Sequence, residues 1–250
     1  MSGDPDSPAR PHRVIRSYVV RAGRLTSAQQ RALDEYWPRY GVASGSEPLE
    51  LPALFGRDAP RTLEIGFGNG DNLAALAAAH PDHDFIGVEV HPPGVGQLLL
   101  KAAATGLGNL RIVQHDAVEL LQDRIAPASL DAILVLFPDP WHKKRHHKRR
   151  LVSRAFAELA LSRLKTGGTL QLATDWTPYA EWMLEVLDAV PGLRNRAADG
   201  RYMPRDPGRS VTRFELRGER LGHAVHDLCY ERISPATDAC SVPPQPHPRS

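Results

Sequence analysis

The feature that most constrains this chain is a regular alternation of short apolar runs with longer helical patterns through its middle. Apolar runs stand at 62–65, 85–90, 110–114, 130–137 and 169–173, and helical periodicity fills 72–79, 95–105, 151–164 and 178–189. Near-continuous apolar runs suit strands buried on both faces, and a helix between successive strands makes them parallel. Gly106 and Gly167 follow two of the helical stretches, where a left-handed residue is expected to stop the helix. A last apolar run, 226–233, follows a polar, Arg-rich connection. The expectation is a single α/β domain over 13–234: a Rossmann-like, doubly wound, mostly parallel sheet with helices on both faces. Such sheets bind ligands at the carboxyl ends of their strands. The Pro- and Ser-rich ends, 1–12 and 235–250, read as disordered tails.

Several classes are excluded early. No apolar run approaches the roughly 20 residues that span a bilayer, and the start, MSGDPDSPARPHR, lacks the apolar core of a secretory signal. The two cysteines, Cys229 and Cys240, lack metal-ligand spacing. Neither a metal site nor a disulfide is expected, and a reducing cytoplasm is the natural setting. The net charge of +2 conceals one concentrated patch, KKRHHKRR at 143–150, with six of the 31 Lys and Arg residues. Without it the chain is net acidic, which suggests one local site for a polyanion. A solvated surface helix or an import signal would carry the same residues.

The first apolar run leads into LEIGFGNGDN. Glu64 precedes Gly66, Gly68 and Gly70, and a helix is expected to open near Asn72. Glycines here let the backbone turn and approach a ligand. The spacing is GxGxG, with Asp71 where a dinucleotide fingerprint wants its third Gly, and that carboxylate would repel a pyrophosphate. S-adenosylmethionine has no phosphate, and its ammonium and sulfonium favour carboxylates such as Glu64. Glu89 ends the second run, placed to accept both hydroxyls of a ribose. After the third, Asp116 is placed to accept from an adenine amino group or to cap the next helix. Acids after three successive strands, behind a Gly turn, point to a nucleoside cofactor of the sulfonium type.

The fourth run ends in LFPDPWHKKRHHKRR. Prolines on both sides restrict the backbone around Asp139 and fix the direction of its carboxylate, an arrangement similar to the Asp/Asn-Pro-Pro-aromatic turn of DNA amino-methyltransferases. Trp141 stands ready to stack on a base or to fill a pocket wall. His142 reads as a structural or phosphate contact, not a general base.

With these residues in view, the chain resembles the bacterial-type tRNA (guanine-N7-)-methyltransferases, a family of class I methyltransferases. The matching segments are IRSYVVRAGRLTSAQQ, LEIGFGNGDN, GVEVH, HDAVE, LFPDPWHKKRHHKRR, ATDW and TRFELRGERLGH, in register from Ile15 to about Arg232. FPDPWHKKRH and TRFELRG are the most specific and the Gly turn the least. The resemblance implies methyl transfer from S-adenosylmethionine to N7 of a guanine in tRNA, a variable-loop guanine. It implies cofactor contacts at Glu64, Gly66, Glu89, Asp116 and Asp139, with Asp139 also catalytic. Substrate contacts would come from Lys143, Asp175, Thr212, Arg213, Phe214 and Glu215, and tRNA contacts from Arg145, His146, His147, Lys148, Arg149 and Arg150. Asp175 would otherwise cap the helix near Pro178, and Glu215 would otherwise pair with Arg213 or Arg217 at the surface. No obligate protein partner is evident, leaving a monomer or a homodimer. The rivals are a methyltransferase for another RNA or a small molecule, a dinucleotide-dependent dehydrogenase and a non-catalytic RNA-binding subunit. The GxGxG spacing and the missing hydride-site His or Tyr–Lys pair argue against the dehydrogenase, and a pure binder has no need of the acids.

Overall fold

The computed structural model describes residues 16–18, 23–209, 215, 222 and 224–234. The tails expected at 1–12 and 235–250 lie outside the described residues. Seven strands form one sheet: β1 Arg61–Ile65, β2 Asp84–Val88, β3 Leu110–Val113, β4 Leu130–Leu136, β5 Leu164–Thr174, β6 Leu193–Asn195 and β7 His226–Arg232. Their order is β3-β2-β1-β4-β5-β7-β6. The first five are parallel to one another, whereas β7 runs antiparallel to both β5 and β6. The chain moves outward from β1 through β2 to β3, then crosses back to β4 on the other side of β1. That reversal opens a crevice above the carboxyl end of β1.

Side chains alternate between the sheet faces. Leu63, Ile86, Ile133, Val135 and Leu172 enter a core with α6 Arg154–Arg163 and α7 Thr177–Asp188. Phe85, Leu110 and Ile112 face the other way, onto α1 Ser27–Tyr40, α3 Asp71–Ala79 and α4 Pro92–Thr105. Between β3 and β4, α5 Ala117–Glu119 runs into a π-helical turn, Leu120–Arg124.

The sequence missed α1, because its buried face is narrow: only Ala32 and Tyr40 are fully enclosed. Its capping box was legible, with Gln29 N–H donating to Thr26 Oγ1 at 3.2 Å and Thr26 N–H to Gln29 Oε1 at 2.9 Å. The helix crosses α4 at Gly96, where a Cβ would stand 2.8 Å from that of Gln29. Short helix α2 Leu51–Phe55 and edge strand β6 were also missed. Gly167 is a correction. Helix α6 ends at Arg163 without it, and Gly167, at φ 81°, lies inside β5 where the pairing with β4 shifts register.

Candidate active site

The carboxyl ends of β1, β2 and β4 surround a cavity of about 250 Å³. Its floor is the turn after β1, where Gly66, Gly68 and Gly70 have φ of 70°, 57° and 71°. An L side chain is strained at such angles. The carbonyl of Gly68 also lies 2.3 Å from where a Cβ on Gly94 would stand. The bare start of α4 therefore packs directly on the turn.

Glu89, at the tip of β2, lines the cavity. Its Oε2 accepts from Gly68 N–H at 3.1 Å, and Oε1 accepts from Val90 and His91 N–H at 2.7 and 3.0 Å. Three backbone donors fix this carboxylate and tie the β2 tip to the glycine turn. Glu64, one strand over, is 2% exposed and accepts from Asn72 Nδ2 at 3.0 Å. Burial pushes its pKa up to about 7, only partly opposed by Asn72. It lies beneath the glycine turn and is not on the cavity wall. Asp116 takes the capping option, with Oδ1 accepting from Val118 and Glu119 N–H. It lines an adjoining cavity of about 460 Å³, which shares Ser17 and Leu151 with the first.

Asp139 is exposed on the wall of the first cavity. The turn that carries it is strained at both ends, with Phe137 at φ 51° and Trp141 at φ 48°. Left-handed conformations cost non-glycine residues about 1–2 kcal/mol each. Local bonds hold them there. Phe137 N–H donates to Ala173 O at 2.8 Å, and Arg209 lies 5.5 Å from the Phe137 ring. Trp141 Nε1–H donates to Ser17 O at 3.1 Å, fastening residues 16–18 over the cavity. The indole also faces His146 edge-on at 5.7 Å and the Arg149 guanidinium at 5.0 Å. Trp141 is thus a clasp. His142 packs edge-on against Trp176 at 4.4 Å, joining the turn to the end of β5.

The basic run forms a 3-10 helix, Lys144–Arg149, beginning after Lys143. Lys143, Lys144, Arg145 and Lys148 are exposed, and His146, His147 and Arg149 are half-buried. Burial, then the Arg145 and Arg149 charges, lower the pKa of His146, which favours its neutral form at pH 7. Arg150, expected on tRNA, is placed differently from its neighbours. It is 7% exposed, and its Nε–H donates inward to Pro140 O at 3.0 Å.

Asp175 is half-buried and does not cap α7, whose N-cap residue is Trp176 and lacks a side-chain cap bond. Glu215, expected to contact substrate, is 1% exposed, so the alternative of a surface pair with Arg213 or Arg217 does not hold. Arg205 Nε–H donates to Oε1 at 2.6 Å, and the Arg209 fork donates to both oxygens at 2.9 and 3.0 Å. Arg209 also pairs with Asp227 at 3.2 Å. Arg205 and Arg209 carried no sequence signal. Thr212, Arg213 and Phe214 lie outside the described residues. Among the described residues, His80, Asp82 and His83 bring ligand atoms within 4.8 Å of one another. They stand on the α3–β2 loop, at the opposite edge of the sheet from the cavity. No helix of the described residues is long and apolar enough to cross a membrane.

A family described as putative methyltransferase matches residues 58–228. A tRNA (guanine-N(7)-)-methyltransferase of Pseudomonas paraeruginosa is 56% identical over 243 residues, covering 93% of this chain and 100% of that protein. The chain belongs to this methyltransferase family. Among solved structures, the 16S rRNA methyltransferase KamB is similar at a TM-score of 0.54 and 21% identity, over 74% of this chain and 93% of that one. A second is a mutant of the 16S rRNA (adenine(1408)-N(1))-methyltransferase of Catenulisporales acidiphilia with its cosubstrate SAM. It has a TM-score of 0.53 and 17% identity, over 79% of this chain and 96% of that one. These two likenesses show the fold.

The cavity fits the family's cofactor, S-adenosylmethionine. Among the described residues its charged lining is Glu89 and Asp139, with no Lys or Arg, which suits a ligand carrying a sulfonium and an ammonium and disfavours a pyrophosphate.

Proposed function

We propose that this chain methylates N7 of a guanine in tRNA, using S-adenosylmethionine, and does so in the cytoplasm, the compartment of that substrate. The reading treats 13–234 as one catalytic domain. One observation carries it: Asp139 stands on the wall of the carboxylate-lined cavity and is followed at once by an exposed basic helix. The cofactor is thereby next to a surface suited to phosphates.

When bound, S-adenosylmethionine supplies an electrophilic methyl on a positively charged sulfur. Guanine N7 keeps a lone pair at neutral pH, so no general base is required. The work of this chain is positioning and charge. Glu89 would hold the ribose end, and Asp139 would face the approaching guanine. A negative charge there favours a purine ring that becomes cationic, which lowers the barrier more than it strengthens ground-state binding. Both Glu215 oxygens accept from arginines. We assign the N1–H and N2–H₂ edge of guanine to Asp175, which follows the end of β5 and caps no helix. Lys143, Arg145 and Lys148 take phosphates.

The test is direct. Incubate the protein with unmodified tRNA transcript and methyl-labelled S-adenosylmethionine, digest the RNA, and identify the labelled nucleoside. N7-methylguanosine is expected; label in another nucleoside, or none, overturns the reading.

A further inference from the structure

Arg150 ends the basic run but differs from its neighbours in every respect that matters to RNA. Its guanidinium lies 4.8 Å from the Tyr179 ring centre and 5.6 Å from that of Trp182, with Nη2 3.2 Å from His147 Nε2. Its Nε–H points at Pro140 O. To reach a phosphate it would have to leave two aromatic faces and orphan a carbonyl. Burial lowers its pKa, yet a guanidinium stays charged at any physiological pH. The site therefore keeps a permanent donor aimed at one backbone oxygen.

That oxygen belongs to the residue directly after Asp139. The turn from Phe137 to Trp141 is left-handed at both ends and needs external bonds to persist. Upstream it is anchored by Phe137 N–H on Ala173 O, and downstream by the Trp141 indole on Ser17 O. Arg150 supplies the anchor between them. We infer that Arg150 is a positioning residue for methyl transfer and not an RNA contact: by fixing the Pro140 carbonyl it sets the direction of the Asp139 carboxylate. This inference rests on the function proposed above. Lysine cannot do the same, because its ammonium is a strongly hydrated point charge without the planar N–H and stacking face.

Arg150→Lys tests the point, because it keeps the charge that a phosphate contact would use. We compare it with an Arg145→Ala/Lys148→Ala double variant, measuring kcat at saturating substrates, the salt dependence of tRNA binding, and S-adenosylmethionine affinity by calorimetry. Arg150→Lys should lose about 10- to 100-fold in kcat, the scale of an ångström-level misplacement. Its tRNA affinity, salt slope and cofactor affinity should stay within about twofold of wild type, the cofactor titration also reporting an intact fold. The double variant should lose roughly 0.7–0.9 of slope per phosphate contact, a loss that Arg150→Lys should not show. A wild-type kcat in Arg150→Lys overturns the inference. So does loss of cofactor binding in step with kcat, and so does a reduced salt slope in Arg150→Met. Wild-type protein that labels no guanine N7 refutes the function itself and this inference with it. An active wild type with an equally active Lys variant refutes the inference alone.

Discussion

Replacing Glu64 with glutamine should make the protein more stable at high pH and change little at low pH. The carboxyl is 2% exposed, with Asn72 as a polar neighbour, and burial pushes its pKa up to about 7 from the ordinary 4.5 of a glutamate. An acid with a raised folded pKa binds more protons folded than unfolded between those two values. Stability therefore falls as pH rises from about 4.5 to about 7, and the loss is complete above that. About 2.5 pK units at about 1.4 kcal/mol each gives a loss of about 3–4 kcal/mol. Glutamine keeps the shape and an acceptor for Asn72 but has no proton to lose. Urea denaturation of both proteins at pH 5 and pH 8 isolates this group, since every other titration is common to the two. The Gln variant should gain on wild type by most of that amount between the two conditions. Parallel pH profiles would refute the argument and mean that Glu64 is solvated or charge-paired when folded.

Other outcomes follow from the same geometry. Glu89→Ala should weaken S-adenosylmethionine binding by about 1.5–3 kcal/mol, the range for hydrogen bonds to a charged group, and should also loosen the glycine turn whose Gly68 N–H it holds. An unchanged calorimetric affinity would remove Glu89 from the site. Asp139→Asn keeps the shape and loses the charge, so kcat at saturation should fall while both binding constants move little; near-normal turnover would leave positioning as its whole role. Gly94→Ala drives a Cβ against the Gly68 carbonyl and should lower cofactor affinity with little effect on tRNA binding. Equal affinity for the cofactor would show that the turn yields there at no cost.

Much of this was legible because periodicity and turn chemistry are local. The first five strands were placed because each contains a short apolar run, and Glu89 and Asp139 were set at strand ends because strand ends are visible in sequence. The arginines were not legible. Arg150 is chemically identical to Arg149 in a string of cations, and only Tyr179, Trp182 and the Pro140 carbonyl make one of them a buried brace. Glu215 has arginines beside it in sequence, yet its partners are Arg205 and Arg209, chosen by tertiary packing. Asp116 illustrates the remaining limit. A carboxylate after a strand suits a ligand and a helix cap equally, and geometry alone shows that Oδ1 is capping.

The direction of a single strand decides what the last part of the chain can reach. In the observed register His226, the first residue of β7, stands opposite Thr174, the last residue of β5. The chain therefore enters the sheet from the same rim as Asp139, which lets Arg209 rest on Phe137 and meet Asp227. Were β7 parallel to β5, that entry point would move to the neighbourhood of Thr169, about 17 Å away at 3.3 Å per residue. Arg205, Arg209 and Glu215 would then be delivered to the rim where His80 and His83 stand, and the carboxyl ends of β4 and β5 would be left without them.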